Sequence, residues 1–285
     1  MMDSFKNIQK TWDSFAEEKP QWSVLTSNQP QEIDAFFQSG KQDVAKILLE
    51  AVSYGLAIRK ETALDFGCGL GRLTFPLCSR FRQVSAVDIS QRMIELASSH
   101  GDCPENATFQ RLESSDLRFL ESNSFDLVVS LIVLQHVPRR HMKSYIKEFM
   151  RVVKPNGTIV FQVPTFRKKI ETGKAEFWKG KPLSWDNPSF PKLCYRFISR
   201  SIPWARKMLK RPLLSNEARY RLECEWKKMT GRRIMQMNTL GIQEVELIAS
   251  RNSCKIVAVR EDERAGKGFT SKLFFLTKVG SNKVG

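Results

Sequence analysis

The sequence predicts an α/β fold, a doubly wound and mostly parallel seven-stranded sheet closed by a C-terminal antiparallel hairpin. Three observations predict it. From Thr62 onward, short apolar strands alternate with helical patterns. The first strand runs into a turn with three alternate glycines, "ALDFGCGLGRLTF", which opens the following helix. A late helix is followed by two strands joined by the glycine-containing "ERAGKGF", the pattern of a closing hairpin.

In chain order, "TALDF" is a buried strand and "GRLTFPLCSRF" the helix after it. "QVSAVD" is the second strand. Ser90 caps "QRMIELASSH", where Met93, Ile94, Leu96 and Ala97 recur at helical spacing. "NATFQRL", "FDLVVSLIV" and "GTIVFQVP" are the third, fourth and fifth strands. Between the last two, "RRHMKSYIKEFMRVVKPNG" reads as a helix with Met142, Tyr145, Ile146, Phe149, Val152 and Val153 facing inward, stopped at "KPNG". The rhythm breaks at residues 165–235, which hold or border Pro164, Pro182, Pro188, Pro191, Pro203 and Pro212. It resumes with "GIQEVELIASRNSC" as helix, then "KIVAVRED" and "SKLFFLTKV" as strands. The expected organisation is an aromatic N-terminal segment (1–40), a core (41–164), a basic helical insertion (165–235) and a segment completing the sheet (236–285).

Composition narrows the class. The 285 residues are 41% hydrophobic and 27% charged, a globular balance. No apolar run approaches the roughly 18 residues that span a bilayer. "MMDSFKNIQKTWDSF" lacks the basic-then-apolar pattern of an export signal, so a cytoplasmic location is expected. The six cysteines have no paired spacing and read as reduced thiols, with no metal site. Net charge is +16, of which residues 165–233 supply +13 through 19 Lys/Arg against 6 Asp/Glu. Such an excess attracts phosphates, acidic lipids or nucleic acid, or else is a solvated flank.

A strand ending in an acid and glycines before a helix lets a ligand reach backbone amides at the helix start. The spacing here is D-x-G-x-G-x-G, led by Asp65 and carried by Gly67, Gly69 and Gly71. A G-x-G-x-x-G reading fails, because its third glycine falls on Arg72 or Thr74. A phosphate-binding Walker loop fails too, since no Lys follows. Asp88 ends the second strand, where an acid can accept both hydroxyls of a ribose. Glu113 lies just past the third.

With those residues in view, the sequence resembles the class I, Rossmann-like S-adenosylmethionine-dependent methyltransferases. "LDFGCGLGRLT", "AVDIS", "LESSDLRFLESNSFDLVVSLIVLQHV" and "EFMRVVKPNGTIVFQVP" match their successive motifs in order. "WDSFAEEKPQWSVLTS" and "EIDAFFQSG" look like a bacterial subgroup without one settled substrate. The resemblance implies S-adenosyl-L-methionine as cofactor and a set of roles. Asp65 would hold the methionine ammonium, directly or through water, and Gly67, Gly69 and Gly71 would let the chain pass beside methionine and ribose. Asp88 would take the ribose hydroxyls and Ile89 would stack on adenine. Glu113, where the family usually has Asp, and Ser114 would bind the adenine edge. Ser130 and Leu131 would close the methionine side.

Methyl transfer from a sulfonium needs alignment more than a base. Of the three histidines, His136 in "LQHVP" lies where the resemblance places the acceptor pocket, as a base, an acceptor-orienting donor or a plain wall residue. His141 reads as exposed and structural, and His100 as a helix end. Trp12, Phe15 and Trp22 suggest a lid over the cofactor. In "KLCYRFISRSIPWARKMLKR", Lys192, Arg196, Arg200, Lys207 and Arg211 share a stripe beside Leu193, Phe197, Trp204 and Met208. This suits a membrane surface or a lipid-linked acceptor, or a lid half buried on the sheet. The expected acceptor is a small molecule or glycan-type metabolite. An RNA or other nucleic-acid substrate competes, but no RNA-binding module and no N-P-P-Y-type motif are present. A module that only binds nucleosides would have lost the glycines or the ribose acid, and both are intact.

Overall fold

The computed structural model describes residues 5–18, 20–25, 32–167, 235, 237–266 and 268–280. The predicted insertion helices, with their basic and apolar stripes, lie outside the described residues. By contacts, Met1–Arg167 and Gln236–Gly285 form one compact unit, and Lys168–Met235 another.

Three helices precede the sheet: α1 (Phe5–Glu18), α2 (Pro20–Val24) and α3 (Ile33–Ser53). Then come β1 (Thr62–Phe66), α4 (Thr74–Cys78), β2 (Gln83–Asp88), α5 (Gln91–Ser98), β3 (Ala107–Arg111) and β4 (Phe125–Ser130). A 3-10 turn at Leu134–His136 leads into α6 (Arg139–Val152) and β5 (Val153–Arg167). The chain ends with α7 (Ile242–Arg251), β6 (Cys254–Asp262) and β7 (Phe269–Lys278). The sheet order is β3-β2-β1-β4-β5-β7-β6. The first five strands pair in parallel, while β7 runs antiparallel to β5 and β6, the hairpin that the sequence predicts.

Period-2 alternation divides the strand side chains between two cores. Leu64, Phe66, Val128, Phe161 and Phe274 face α6 and α7, where Tyr145, Ile146, Phe149, Val245 and Ile248 complete one core. Ala63, Val84, Leu127, Val129, Val160 and Phe275 face the other way, onto Val44, Ile47 and Ala51 of α3 and Leu77 of α4. Both faces of the sheet are covered, which is why its strands are apolar runs.

Three local expectations change. The helix after β1 is only Thr74–Cys78, because the chain turns from the glycines as far as Leu73 before it can coil. "KPNG" does not stop α6 in a loop. The helix runs straight into β5, and the pairing jumps from Phe125↔Val153 to Leu127↔Thr158, so those residues form a bulge with Asn156 at φ 63°. The 21-residue α3 was not anticipated, and the expected boundary at residue 40 falls inside it. There Gly40 meets the glycine loop so closely that a Cβ would stand 1.9 Å from the Arg72 carbonyl oxygen. Among the described residues, no helix is long and apolar enough to cross a membrane.

Candidate active site

The strand order reverses between β1 and β4, and a doubly wound sheet opens a crevice at such a point, beyond the carboxyl ends of its strands. The loop after β1 turns through Gly67 and Gly69 at φ 78° and 52°, a region where a side chain is strained. A Cβ on Gly67 would stand 2.3 Å from a Val133 methyl, and one on Gly69 2.7 Å from a Val24 methyl. The glycines thus answer to the protein's own packing as well as to any ligand.

Asp88, at the tip of β2, lies beside this loop. Its two carboxylate oxygens accept from the Gly69 and Ser90 N–H groups, each at 2.9 Å. Burial pushes the Asp88 carboxyl above the usual range, against the pull of those amides. Each oxygen keeps a further lone pair for a hydroxyl. Ser90 caps α5 as predicted, accepting from the Met93 N–H. Its own hydroxyl donates to Asp13 Oδ1 on α1 at 2.8 Å.

Asp65 is 1% exposed, and its Oδ2 accepts from Thr74 Oγ1 at 2.7 Å. Burial raises its pKa to about 6, with Thr74 and Arg72 opposing and Asp88 adding to the rise. It lies behind the glycine loop rather than in the pocket wall.

The pocket spans about 780 Å³, counting space open to solvent. Gly67, Gly69, Asp88, Ile89 and Leu131 contribute to its wall as the sequence suggests. Phe5, Ile8 and Trp12 of α1 and Ser23 and Val24 of α2 add a side that the sequence marks only by its aromatics. Asp13 and Gln9 fasten α1 there: Asp13 bonds Ser90 and pairs with Arg111 at 3.6 Å, and Gln9 Nε2 donates to the Leu112 carbonyl at 2.9 Å.

Glu113, Ser114 and Ser130 are not brought to the wall. The Glu113 side chain is 75% exposed and stands 3.9 Å from Arg111. Ser114 bonds Asp116 through its hydroxyl, while its carbonyl accepts from Tyr145 OH at 3.2 Å. Ser130 is buried, its hydroxyl without a partner among the described residues. His136 lines the pocket, 5.3 Å from the Trp12 ring between centroids. His141 departs from expectation: one turn of α6 brings it to the wall half-buried, where burial and then Arg140 lower its pKa. His100 packs against Phe37 and Phe75. Phe5, Ile8, Val133 and Tyr145 carry no motif and could be found only from the fold.

Residues 63–157 match the family described as methyltransferase domain. Residues 63–157 thus form a methyltransferase domain. The chain is 33% identical over 107 residues to a tRNA N(3)-methylcytidine methyltransferase of Schizosaccharomyces pombe, covering 35% of this chain and 43% of that protein. It is 31% identical over 124 residues to a ubiquinone biosynthesis O-methyltransferase of Rickettsia canadensis, covering 43% and 51%. The chain thus spans about half the length of the curated relatives it matches. Among solved structures, the fold is shared with magnesium protoporphyrin IX methyltransferase of Synechocystis with bound S-adenosylhomocysteine, at TM-score 0.55 and 15% identity over 96% of this chain and all of that one. A Leishmania major S-adenosylmethionine-dependent methyltransferase gives TM-score 0.56 at 14% identity, covering 96% and 82%.

The pocket residues fit S-adenosylmethionine, the cofactor that the resemblance in the sequence implies. An acid with spare lone pairs, an amide-rich loop without side chains and an apolar wall answer to the diol, chain and base of that nucleoside.

Proposed function

We propose that the protein transfers the methyl group of S-adenosylmethionine to a small-molecule or glycan-type acceptor. The observation that carries this reading is Asp88, held by two backbone amides at the pocket edge beside the positive-φ glycines. Asp88 would accept the ribose hydroxyls, with Ile89 and Leu112 against adenine. Asp65 would reach the methionine ammonium through water, because Thr74 already engages it and the loop lies in front. Leu131, beside the buried Ser130 hydroxyl, would close the methionine side. The main chain at 113–114 would meet the adenine edge, the Glu113 side chain being turned to solvent.

When bound, S-adenosylmethionine supplies an already activated methyl group. The chain's task is then to align the acceptor within about 3–3.5 Å and exclude water. Phe5, Ile8 and Trp12 serve that exclusion as a lid. A glycan-type or lipid-linked acceptor is consistent with a basic segment beyond the core, which can receive anionic groups.

Calorimetry of S-adenosylhomocysteine with wild type and Asp88→Ala tests the donor site. Removing a charged hydrogen-bond acceptor costs about 1.5–3 kcal/mol, so affinity should fall roughly 10- to 100-fold. Unchanged affinity would remove the reading. The charge excess and the tRNA-modifying relative favour RNA as a second acceptor. RNA binding that weakens steeply with salt, together with RNA methylation, would select it.

A further inference from the structure

The loop after β3 is pinned at two points through its main chain. The Leu112 N–H donates to the Asp88 carbonyl at 2.8 Å, and the Leu112 carbonyl accepts from Gln9 Nε2 at 2.9 Å. The Leu117 N–H donates to Glu148 Oε2 at 2.9 Å, and the Leu117 carbonyl accepts from Arg151 at 2.7 Å. Among the described residues, one hydrogen bond ties the intervening residues 113–116 to another element. It runs from Tyr145 OH on α6 to the Ser114 carbonyl, at 3.2 Å. The Ser114 and Asp116 side chains bond only within the loop, to each other and to Arg118. Tyr145, Glu148 and Arg151 recur every three residues along α6, so one side of that helix grips the loop. The Tyr145 ring is itself buried, 4.6 Å between centroids from Phe66 at the end of β1.

A carbonyl can only accept, so the Tyr145 hydroxyl is the donor. In a trans peptide the N–H points opposite to the C=O, so the same bond also sets the direction of the Ser115 N–H. We infer that Tyr145 is a positioning residue for recognition of the base: through the Ser114 carbonyl it sets the main chain that meets the adenine edge. This rests on the proposed nucleoside site, where Ile89, Leu112 and Tyr145 share the pocket wall. The adenine edge offers an amino donor beside a ring-nitrogen acceptor. Deamination to hypoxanthine exchanges those roles, so peptide groups set for adenine would face donor with donor and acceptor with acceptor. Selectivity for adenine over its deaminated form therefore depends on a hydroxyl that is spent on Ser114.

Calorimetry on the full-length protein with S-adenosylhomocysteine and S-inosylhomocysteine tests this. Wild type should prefer the adenosyl compound. Tyr145→Phe keeps the buried ring and removes only the hydroxyl. It should weaken adenosyl binding roughly 2- to 10-fold and leave inosyl binding unchanged, so that the preference shrinks. Asp88→Ala, acting at the ribose, should weaken both alike and keep the preference. A merely structural role of Tyr145 would likewise weaken both alike, and that result overturns the inference. Unchanged adenosyl binding in Tyr145→Phe overturns it too, as does a wild type that binds the two compounds equally. Should Tyr145→Phe not fold, Tyr145→Met also lacks the hydroxyl and is read by the same outcomes. A wild type that binds neither compound overturns the nucleoside site and this inference with it, whereas the other adverse results overturn the inference alone.

Discussion

Asp65 shows how a single buried carboxyl can set the pH response of the ligand-free protein. Its pKa rises from an ordinary 3.8 to about 6, chiefly through burial. A raised carboxyl contributes stability that is complete below the unfolded value and is lost as pH rises through the folded one. The rise corresponds to about 3 kcal/mol. Between pH 4 and 6.5 the wild type should therefore lose stability relative to Asp65→Asn, which keeps the bond from Thr74 but does not ionise. Thermal melts of both proteins across that range check this, and parallel curves would refute it. The glycines and Asp88 are legible in the sequence because their spacing is local, set by one strand, one turn and the next strand tip. Glu113 is read from its position along the chain, but two residues past β3 its side chain turns to solvent and stands near Arg111. His141 is misread because the surroundings of α6, not its own polar face, decide what that turn touches.

Among the elements, α1 depends most on a few polar ties. Asp13 accepts from the Ser90 hydroxyl and the Arg92 N–H and pairs with Arg111, while Gln9 reaches the Leu112 carbonyl. Asp13→Ala should loosen α1 without unfolding the sheet. Limited trypsin digestion would then cut at Lys6 or Lys10 several-fold faster, and S-adenosylhomocysteine should protect the wild type more than the variant. Equal cleavage rates would show that apolar packing alone holds the helix. β1 and β2 are read to the residue and the other strands to within four residues at either end, from their apolar runs, and α5 from its serine cap. The long α3 is missed because "EIDAFFQSGKQDVAKILLEAVS" has a glycine at mid-length and apolar residues on more than one side. Its helical state is secured by packing against the sheet and the glycine loop. The bulge at "KPNG" is missed for the same kind of reason, since Pro and Gly commonly end helices and only the pairing of β4 with β5 shows otherwise.

At the scale of the whole molecule, a network of ion pairs ties the N-terminal third to the C-terminal hairpin. Asp43 on α3 pairs with Arg72 of the glycine loop at 2.8 Å and with Arg264 between β6 and β7, while Glu50 pairs with Arg260 at 2.7 Å. Burial pushes the Asp43 carboxyl up, but the Arg264 and Arg72 guanidiniums outweigh it and hold it below the usual range. Asp43→Asn would leave two largely buried cations short of a partner, at about 3 kcal/mol. Urea unfolding should show that loss at neutral pH and little difference from wild type once acid has protonated the native carboxyl. A difference independent of pH would mean that packing, not charge, joins these parts. Beside this network α3 crosses the glycine loop at Gly40, with room there for a hydrogen atom and nothing larger. A single added methyl would act at that crossing as a wedge, prising the long helix from the loop and disturbing the pocket from a residue that is not in its wall.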